Sequence, residues 1–124
     1  MKNELNKSNI AEFNNITNQF YDALLIKFVM NYGKEPYIEI IIKCAISNAW
    51  GNISLYLYGV NSIHIKENNL EWNVITQGIT VQLIADNFIL YFDDVPLDEN
   101  ISVEEQTINF ISAQKIYWEF REDR

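Results

Sequence analysis

The chain has 124 residues, 48% of them hydrophobic, and a formal net charge of −8. That length suits one domain burying about two-thirds of its surface, so a real core is expected and intrinsic disorder is not. Nine bases against 17 acids leave few cations to neutralise phosphates, which argues against nucleic acid and anionic membranes and favours a basic protein partner.

Cys44 is the only cysteine and His64 the only histidine. No intrachain disulfide can form, and neither a Cys-based zinc site nor a multi-His site can be assembled. No metal or cofactor is therefore expected. The opening residues carry no apolar core of signal-peptide length, and no run approaches a membrane span. A cytoplasmic protein is the expectation.

Residues 1–18 are polar and Asn-rich. They read as an arm or as a short helix from Ser8 or Asn9 through Ile16, with Ile10, Phe13 and Ile16 at helical spacing. The remainder, 19–124, reads as a single antiparallel β domain. From Phe20 the period shortens. Phe20, Leu24, Ile26, Phe28 and Met30 share one parity, interrupted by Asp22, with Ala23, Leu25 and Val29 on the other. A helix competes here, but the Tyr32–Pro36 turn between two extended runs decides for a strand.

Ile38, Ile40, Ile42, Cys44 and Ile46 then alternate with Tyr37, Glu39, Lys43 and Ala45, the mark of a half-buried strand. A slip of one residue would bury Glu39 and Lys43, so the register is well specified. Ser47–Asn52 reads as a turn. Ile53, Leu55 and Leu57 alternate with Ser54, Tyr56 and Tyr58, and Gly59 ends the run or marks a bulge. A short strand follows at Ile63 and Ile65, then a turn at Glu67–Asn69. Leu70, Trp72 and Val74 alternate again. Ile79, Val81 and Leu83 are joined through an Asp86-Asn87 turn to Phe88, Leu90 and Phe92. The acidic stretch 93–106, with Pro96, reads as a loop. Ile108 to Phe120 reads as strand, with a parity change near Ile111 that predicts a bulge or two short strands.

The sum is an antiparallel sandwich or partly closed barrel of about seven or eight strands. No internal repeat or second domain is visible.

Candidate chemistry is sparse. A Cys44–His64 pair would need an exposed thiol, whereas alternation puts Cys44 in the core. His64 on a polar strand face reads as exposed or hydrogen-bonded. Paired carboxylates at Asp93-Asp94 and Glu104-Glu105 sit in a loop, where solvation is the ordinary reading. The four glycines are scattered and form no phosphate loop. Asp86, Asp93, Asp94, Asp98, Glu99, Glu104 and Glu105 occur with no Lys or Arg between them. They are either a solvated loop or a docking surface, with Tyr91, on the non-core parity, as its aromatic anchor. Tyr56 and Tyr58, pointing away from Leu55 and Leu57, line either an interface or a second core. Asp22 falls on the core parity of its strand, so a structural cap of a neighbouring turn is expected.

Phe20-Tyr21-Asp22-Ala23, followed by Ile53–Val60 ending in Gly-Val, resembles a group of small bacterial domains. In those, Phe-His-Asp-Ala opens the first strand and a later strand ends in Gly-Val. Tyr21 stands where the usual His would be, and Tyr58 where Phe is common. The group includes immunity proteins of polymorphic toxin systems, the immunity protein 50 type among them. The resemblance implies a protein that binds and neutralises a cognate toxin; with no acid–base or nucleophile set among the residues, a non-enzymatic chain is expected, as a monomer or homodimer. It carries over no catalytic residues. The alternatives left by the residues are a small-ligand-binding barrel and a homo-oligomeric β domain.

Overall fold

A computed structural model of the chain describes residues 2–65, 74–75, 78–107 and 109–123. Among these, eight strands form one antiparallel sheet: β1 (Asn3–Glu4), β2 (Ala23–Asn31), β3 (Tyr37–Ile46), β4 (Ala49–His64), β5 (Val74–Ile75), β6 (Thr80–Ile84), β7 (Asn87–Tyr91) and β8 (Phe110–Glu122). The helical pieces are short: α1 (Ile10–Ile16), a 3-10 turn at Asn18–Phe20, and α2 (Val103–Gln106). The strand order is β5-β2-β3-β4-β8-β7-β6, with β1 beside the later half of β8. This is the mainly antiparallel β architecture expected from the alternation, in a single sheet that does not close. The expected strand at Leu70–Val74 and the turn at Glu67–Asn69 lie outside the described residues, apart from Val74–Ile75.

The order of the strands forces the sheet to curl. β5 and β6 stand at opposite ends of the path, which in a flat sheet would separate them by about 29 Å at ~4.8 Å per strand. Ile75 and Thr80 are five residues apart, and that chain spans at most ~18 Å. The two ends must therefore approach each other. The gap between them is bridged by residues 17–22: Asp22 N–H donates to the Ile75 carbonyl (2.9 Å) and Ile79 N–H donates to the Gln19 carbonyl (2.6 Å). Gln19 Nε2 also donates to Thr80 Oγ1 (2.9 Å).

This seam is where Phe20-Tyr21-Asp22-Ala23 sits. It is not the start of a strand. Asn18, Gln19, Phe20 and Asp22 all take positive φ, a conformation costing about 1–2 kcal/mol per non-glycine residue, and β2 begins only at Ala23. What offsets the strain is burial. Phe20 is 1% exposed and packs edge-on against Phe13 at 5.9 Å.

The concave face is filled by side chains from the whole chain. Ile40, Ile42, Ile53, Leu55, Leu57 and Ile116 are fully buried there, joined by Leu5 and Phe13 from the N-terminal segment. Residues 1–18 are thus docked through β1 and α1. Asn6 Oδ1 accepts from the Ser8 and Asn9 N–H groups to turn the chain into α1. Asn14, on α1, closes the exposed edge of β6. Its amide donates to the Val81 carbonyl (2.8 Å) and accepts from the Val81 N–H (3.1 Å), replacing a missing strand.

Several local expectations are corrected. In β2 the core residues are Ala23 and Leu25, while Leu24 and Ile26 are exposed. A register shift between Leu25 and Lys27 inverts the parity, so Phe28 returns to the core side opposite Ile40. The hairpin turn after β3 is Ser47-Asn48 alone, both at positive φ, as a two-residue type I′ turn requires. Trp50, Gly51 and Asn52 already belong to β4. The second tight turn is Ala85-Asp86, one residue earlier than expected, and Asn87 pairs with Ile84. β4 runs through Gly59 to His64, with Gly59 at φ 62 just before a register shift at Val60/Ser62. The parity change near Ile111 is not a break: β8 is continuous, and both its faces are covered at its start.

Gly51 marks the tightest approach. A Cβ there would lie 2.3 Å from the Arg121 carbonyl oxygen and 2.8 Å from the Phe120 ring. Gly51→Ala is expected to cost about 1–3 kcal/mol by forcing β4 and β8 apart, read as a lowered urea midpoint at unchanged m-value. A Gly51→Ala chain as stable as the parent would contradict this packing.

Candidate functional site

The acidic stretch 93–106 is not an open loop. It folds back over the outer face of β6, β7 and the start of β8 and forms a second small core. Ile89, Tyr91, Leu97 and Phe110 are buried in it, with Ile84 and Val103 packed alongside. Tyr91 is therefore 0% exposed, and it cannot anchor a surface as its parity implied. Both faces of β7 are covered, so parity no longer separates inside from outside. The Tyr91 hydroxyl instead shares its one hydrogen between the Val95 carbonyl (3.1 Å) and Gln82 Oε1 (3.2 Å), tying the lid down from below.

Two further side-chain amides clamp this lid as Asn14 clamps β6. Gln82 donates to the Leu97 carbonyl (2.8 Å) and accepts from the Leu97 N–H (3.0 Å). Gln106 accepts from the Asp98 N–H (2.6 Å) and donates to the carbonyls of Asp98 (2.8 Å) and Ile101 (3.0 Å). Thr80 Oγ1 donates to the Asp93 carbonyl (2.7 Å) at its root. Sequence reading missed these glutamines. The available signal was confined to Gln106, a lone amide after Glu104-Glu105, since carboxylates cannot donate to a carbonyl.

The clamps hold a set of carboxylates in place. Asp94, Asp98, Glu99, Glu104 and Glu105 are exposed and Asp93 is half-buried. Val95 and Ile101 stand exposed between them, at 61% and 44%. Asp86 is not part of this group. It lies at the far end of the β6–β7 hairpin, about 23 Å along the strand from Asp93 at ~3.3 Å per residue. Among the described residues, the imidazole of His64 is the basic side chain that meets these carboxylates. Its Nε2 lies 3.6 Å from Glu104 Oε1, and its ring stacks on Phe110 at 4.5 Å.

Asp94 is also held from the seam. The Tyr21 hydroxyl donates to Asp94 Oδ2. That bond holds Asp94 below the usual carboxylate range and, with lesser help from burial and the charges of Asp94 and Asp93, pushes Tyr21 up to about 12. The raised Tyr21 value contributes stability that is fully present below its unfolded value, about 10, and is lost as pH rises through about 12. The depressed Asp94 value contributes stability present above the ordinary carboxylate range and lost as pH falls through its lowered folded value. Ultraviolet titration should show a tyrosine ionising near 12 that moves back toward about 10 in Asp94→Asn. If the variant leaves the titration curve unchanged, the pairing is not what raises Tyr21.

Asp22 is exposed, so its carboxylate needs no buried partner. Among the described residues it caps no turn; the backbone N–H of Asp22 does the bridging. Cys44 is buried, and burial raises its thiol to about 11. It pairs with Gly51 near one end of β4, whereas His64 closes the other, about 40 Å away along the strand at ~3.3 Å per residue. The two cannot form a nucleophile pair. Among the described residues, no three His, Cys, Asp or Glu groups stand close enough to hold a metal ion.

No known protein family, curated protein or solved structure matches the chain. No described helix is long and apolar enough to cross a membrane.

A second surface stands out on the outer face of β3, β4 and β8. Tyr37, Tyr56, Tyr58 and Tyr117 are half-buried against one another. Tyr37 stacks on Tyr58 at 5.2 Å, and Tyr58 meets Tyr117 edge-on at 5.7 Å. Lys2 Nζ sits 4.1 Å over the Tyr56 ring, and the Tyr56 hydroxyl donates to Glu119 (2.9 Å). A cavity of about 560 Å³ opens beside these rings, between Tyr58, Tyr117, Lys2, Lys115 and Glu35. Tyr56 and Tyr58 thus join neither core. They belong to an aromatic cluster facing outward.

Proposed function

We propose that the chain is a non-enzymatic binding protein that neutralises a cognate basic protein, in the manner of an immunity protein, by laying its acidic lid over that protein's functional surface. The observation that carries this reading is that the carboxylates are mounted on a clamped segment. A merely solvating loop needs no second core beneath it and no glutamines pinning its backbone. Holding charge in a fixed array lowers the ordering cost of association and adds electrostatic steering. The exposed Val95 and Ile101 supply apolar contact among the charges.

The test is a pull-down from cells of the source organism with the intact chain as bait, followed by affinity measurement on the captured protein. A basic protein is expected, and co-expression of the chain should protect cells from it. Charge reversal at Asp98, Glu99, Glu104 and Glu105 is expected to weaken binding at least tenfold, about 1.4 kcal/mol, with the difference shrinking at high salt. Affinity indifferent to the reversal would refute the acidic-surface reading.

A further inference from the structure

We infer that the cavity between Tyr58, Tyr117, Lys2 and Lys115 takes a small ligand built as a planar aromatic ring bearing an anionic group. The inference stands apart from the acidic-lid reading, since it concerns a different surface and a different class of ligand.

Four segments far apart in sequence meet at this cavity. Lys2 precedes β1, Glu35 and Pro36 lie between β2 and β3, Tyr58 belongs to β4, and Lys115 and Tyr117 belong to β8. The pairing register brings them together. Tyr58 stands opposite Lys115, Tyr56 stands opposite Tyr117, and β1 lies alongside β8 at Tyr117 and Trp118. The volume, about 560 Å³, falls within the range of small-molecule sites, about 300–1,000 Å³. The cavity opens on the outer face of the sheet. The concave face is filled by its own side chains, so the ligand sits outside the core and not inside a barrel.

The walls are chemically one-sided. They carry two ammonium groups and two phenols against the single carboxylate of Glu35, whereas Glu4, Glu39 and Glu119 stand at nearby strand positions but not on these walls. Among the described residues, Lys115 and Glu35 enter no ion pair, and the Tyr58 and Tyr117 hydroxyls meet no acceptor. Lys2 Nζ is held 4.1 Å over the Tyr56 ring, a contact with a π face that consumes no carboxylate. Ammonium groups only donate, and a phenol has one hydrogen to give. A carboxylate or phosphate complements such walls, because it accepts from several donors at once and makes charge-assisted bonds with the amines. Each exposed lysine alone is an ordinary solvated side chain. Their meeting beside half-buried rings, in a chain with 17 acids and nine bases, is what marks the place.

The rings set the rest of the ligand. Tyr58 stacks on Tyr37 at 5.2 Å and meets Tyr117 edge-on at 5.7 Å, so both rings are held and form a rigid wall beside Pro36. A planar aromatic body packs on such rings with a contribution beyond its buried area. A simple anion would leave the rings unused, and an uncharged ring would leave the amines unused.

Titration of the isotope-labelled full chain, followed by NMR, tests the proposal with adenosine monophosphate and with naphthalene carboxylate as probes. Each is taken to about 5 mM, beyond the millimolar affinity of weak ligands. At least one is expected to bind, with shifts centred on Tyr58, Lys115 and Tyr117. Which of the two binds more tightly separates a nucleotide from an aromatic acid as the source of this chemistry. Adenosine, naphthalene methanol and inorganic phosphate should each bind at least tenfold more weakly than the better probe. So should phenyltrimethylammonium, a ring of the opposite charge. Lys115→Gln should weaken the better probe several-fold and Tyr58→Leu at least tenfold, while Lys27→Gln, the same loss of charge elsewhere on the sheet, should leave it within twofold. Absence of binding by both probes overturns the proposal. So do shifts centred away from these residues, equal affinity for a neutral counterpart or for phosphate, and tighter binding of phenyltrimethylammonium. Indifference to Lys115→Gln, which leaves every ring in place, overturns it as well.

Discussion

Replacing Phe20 by alanine is expected to cost about 3–5 kcal/mol, the range for removing a buried aromatic side chain, and to be among the most damaging single changes in the chain. Phe20 is a turn residue, so an intuition built on strands and cores would rank it low. Its importance comes from the curl of the sheet. β5 and β6 are drawn together by a short connection, and the seam between them is held by the backbone of residues 19 and 22. Those residues keep left-handed backbone only while Phe20 stays buried beside Phe13. Losing the ring removes apolar burial and the offset to the strain together. Equilibrium urea denaturation measures the effect. Phe20→Gly should be no worse than Phe20→Ala, because glycine bears no Cβ to strain at φ 55. A glycine variant about 1 kcal/mol less stable than the alanine one, the ordinary ranking for regular structure, would show that backbone strain at this site is unimportant.

Gln82→Ala should release the acidic lid without unfolding the sheet. The variant loses both bonds to Leu97 and the acceptor for Tyr91. At about 0.5–1.5 kcal/mol per bond, more where a buried partner is left unpaired, the loss is about 2–4 kcal/mol. Much of this should appear as local opening. Hydrogen exchange across 95–107 is expected to speed up well beyond that of β3 and β4, whose ladder does not depend on the lid. Uniform acceleration through both regions would mean that the lid and the sheet unfold as one unit. Binding of a basic partner should weaken as well, although every carboxylate remains, because the array is no longer held in place.

Much of the fold is legible in the sequence wherever one face of a strand meets water. Ile38, Ile40, Ile42 and Cys44, and then Ile53, Leu55 and Leu57, alternate cleanly and are buried as they read. Alternation fails where the second face is also covered. On β7, Ile89 and Tyr91 are as deeply buried as Phe88 and Leu90, because the lid supplies a second interior from residues that read as loop. It fails again in β2, where a bulge swaps the two parities within one strand. The acidic stretch is visible as a run of charge, but its order is not, since that depends on Gln82 and Gln106 meeting backbone groups 5 to 15 residues away. Phe20 and Asp22 read as strand but lie in a left-handed turn: Asn18 and Asp22 tolerate that backbone, whereas Gln19 and Phe20 carry no preference that announces it.

The three clamping amides also tie the life of the fold to a slow reaction. Hydrolysis of Asn14, Gln82 or Gln106 to the corresponding acid would keep the shape of the side chain while deleting its only donor. The new carboxylate would then face the carbonyl of Val81, Leu97 or Asp98, turning an attraction into a repulsion at unchanged distance. Deamidation at an exposed turn asparagine such as Asn48 merely adds charge. At these three sites it would unfasten an edge or a lid, and Gln82 marks the transition from a fixed acidic surface to a loose one.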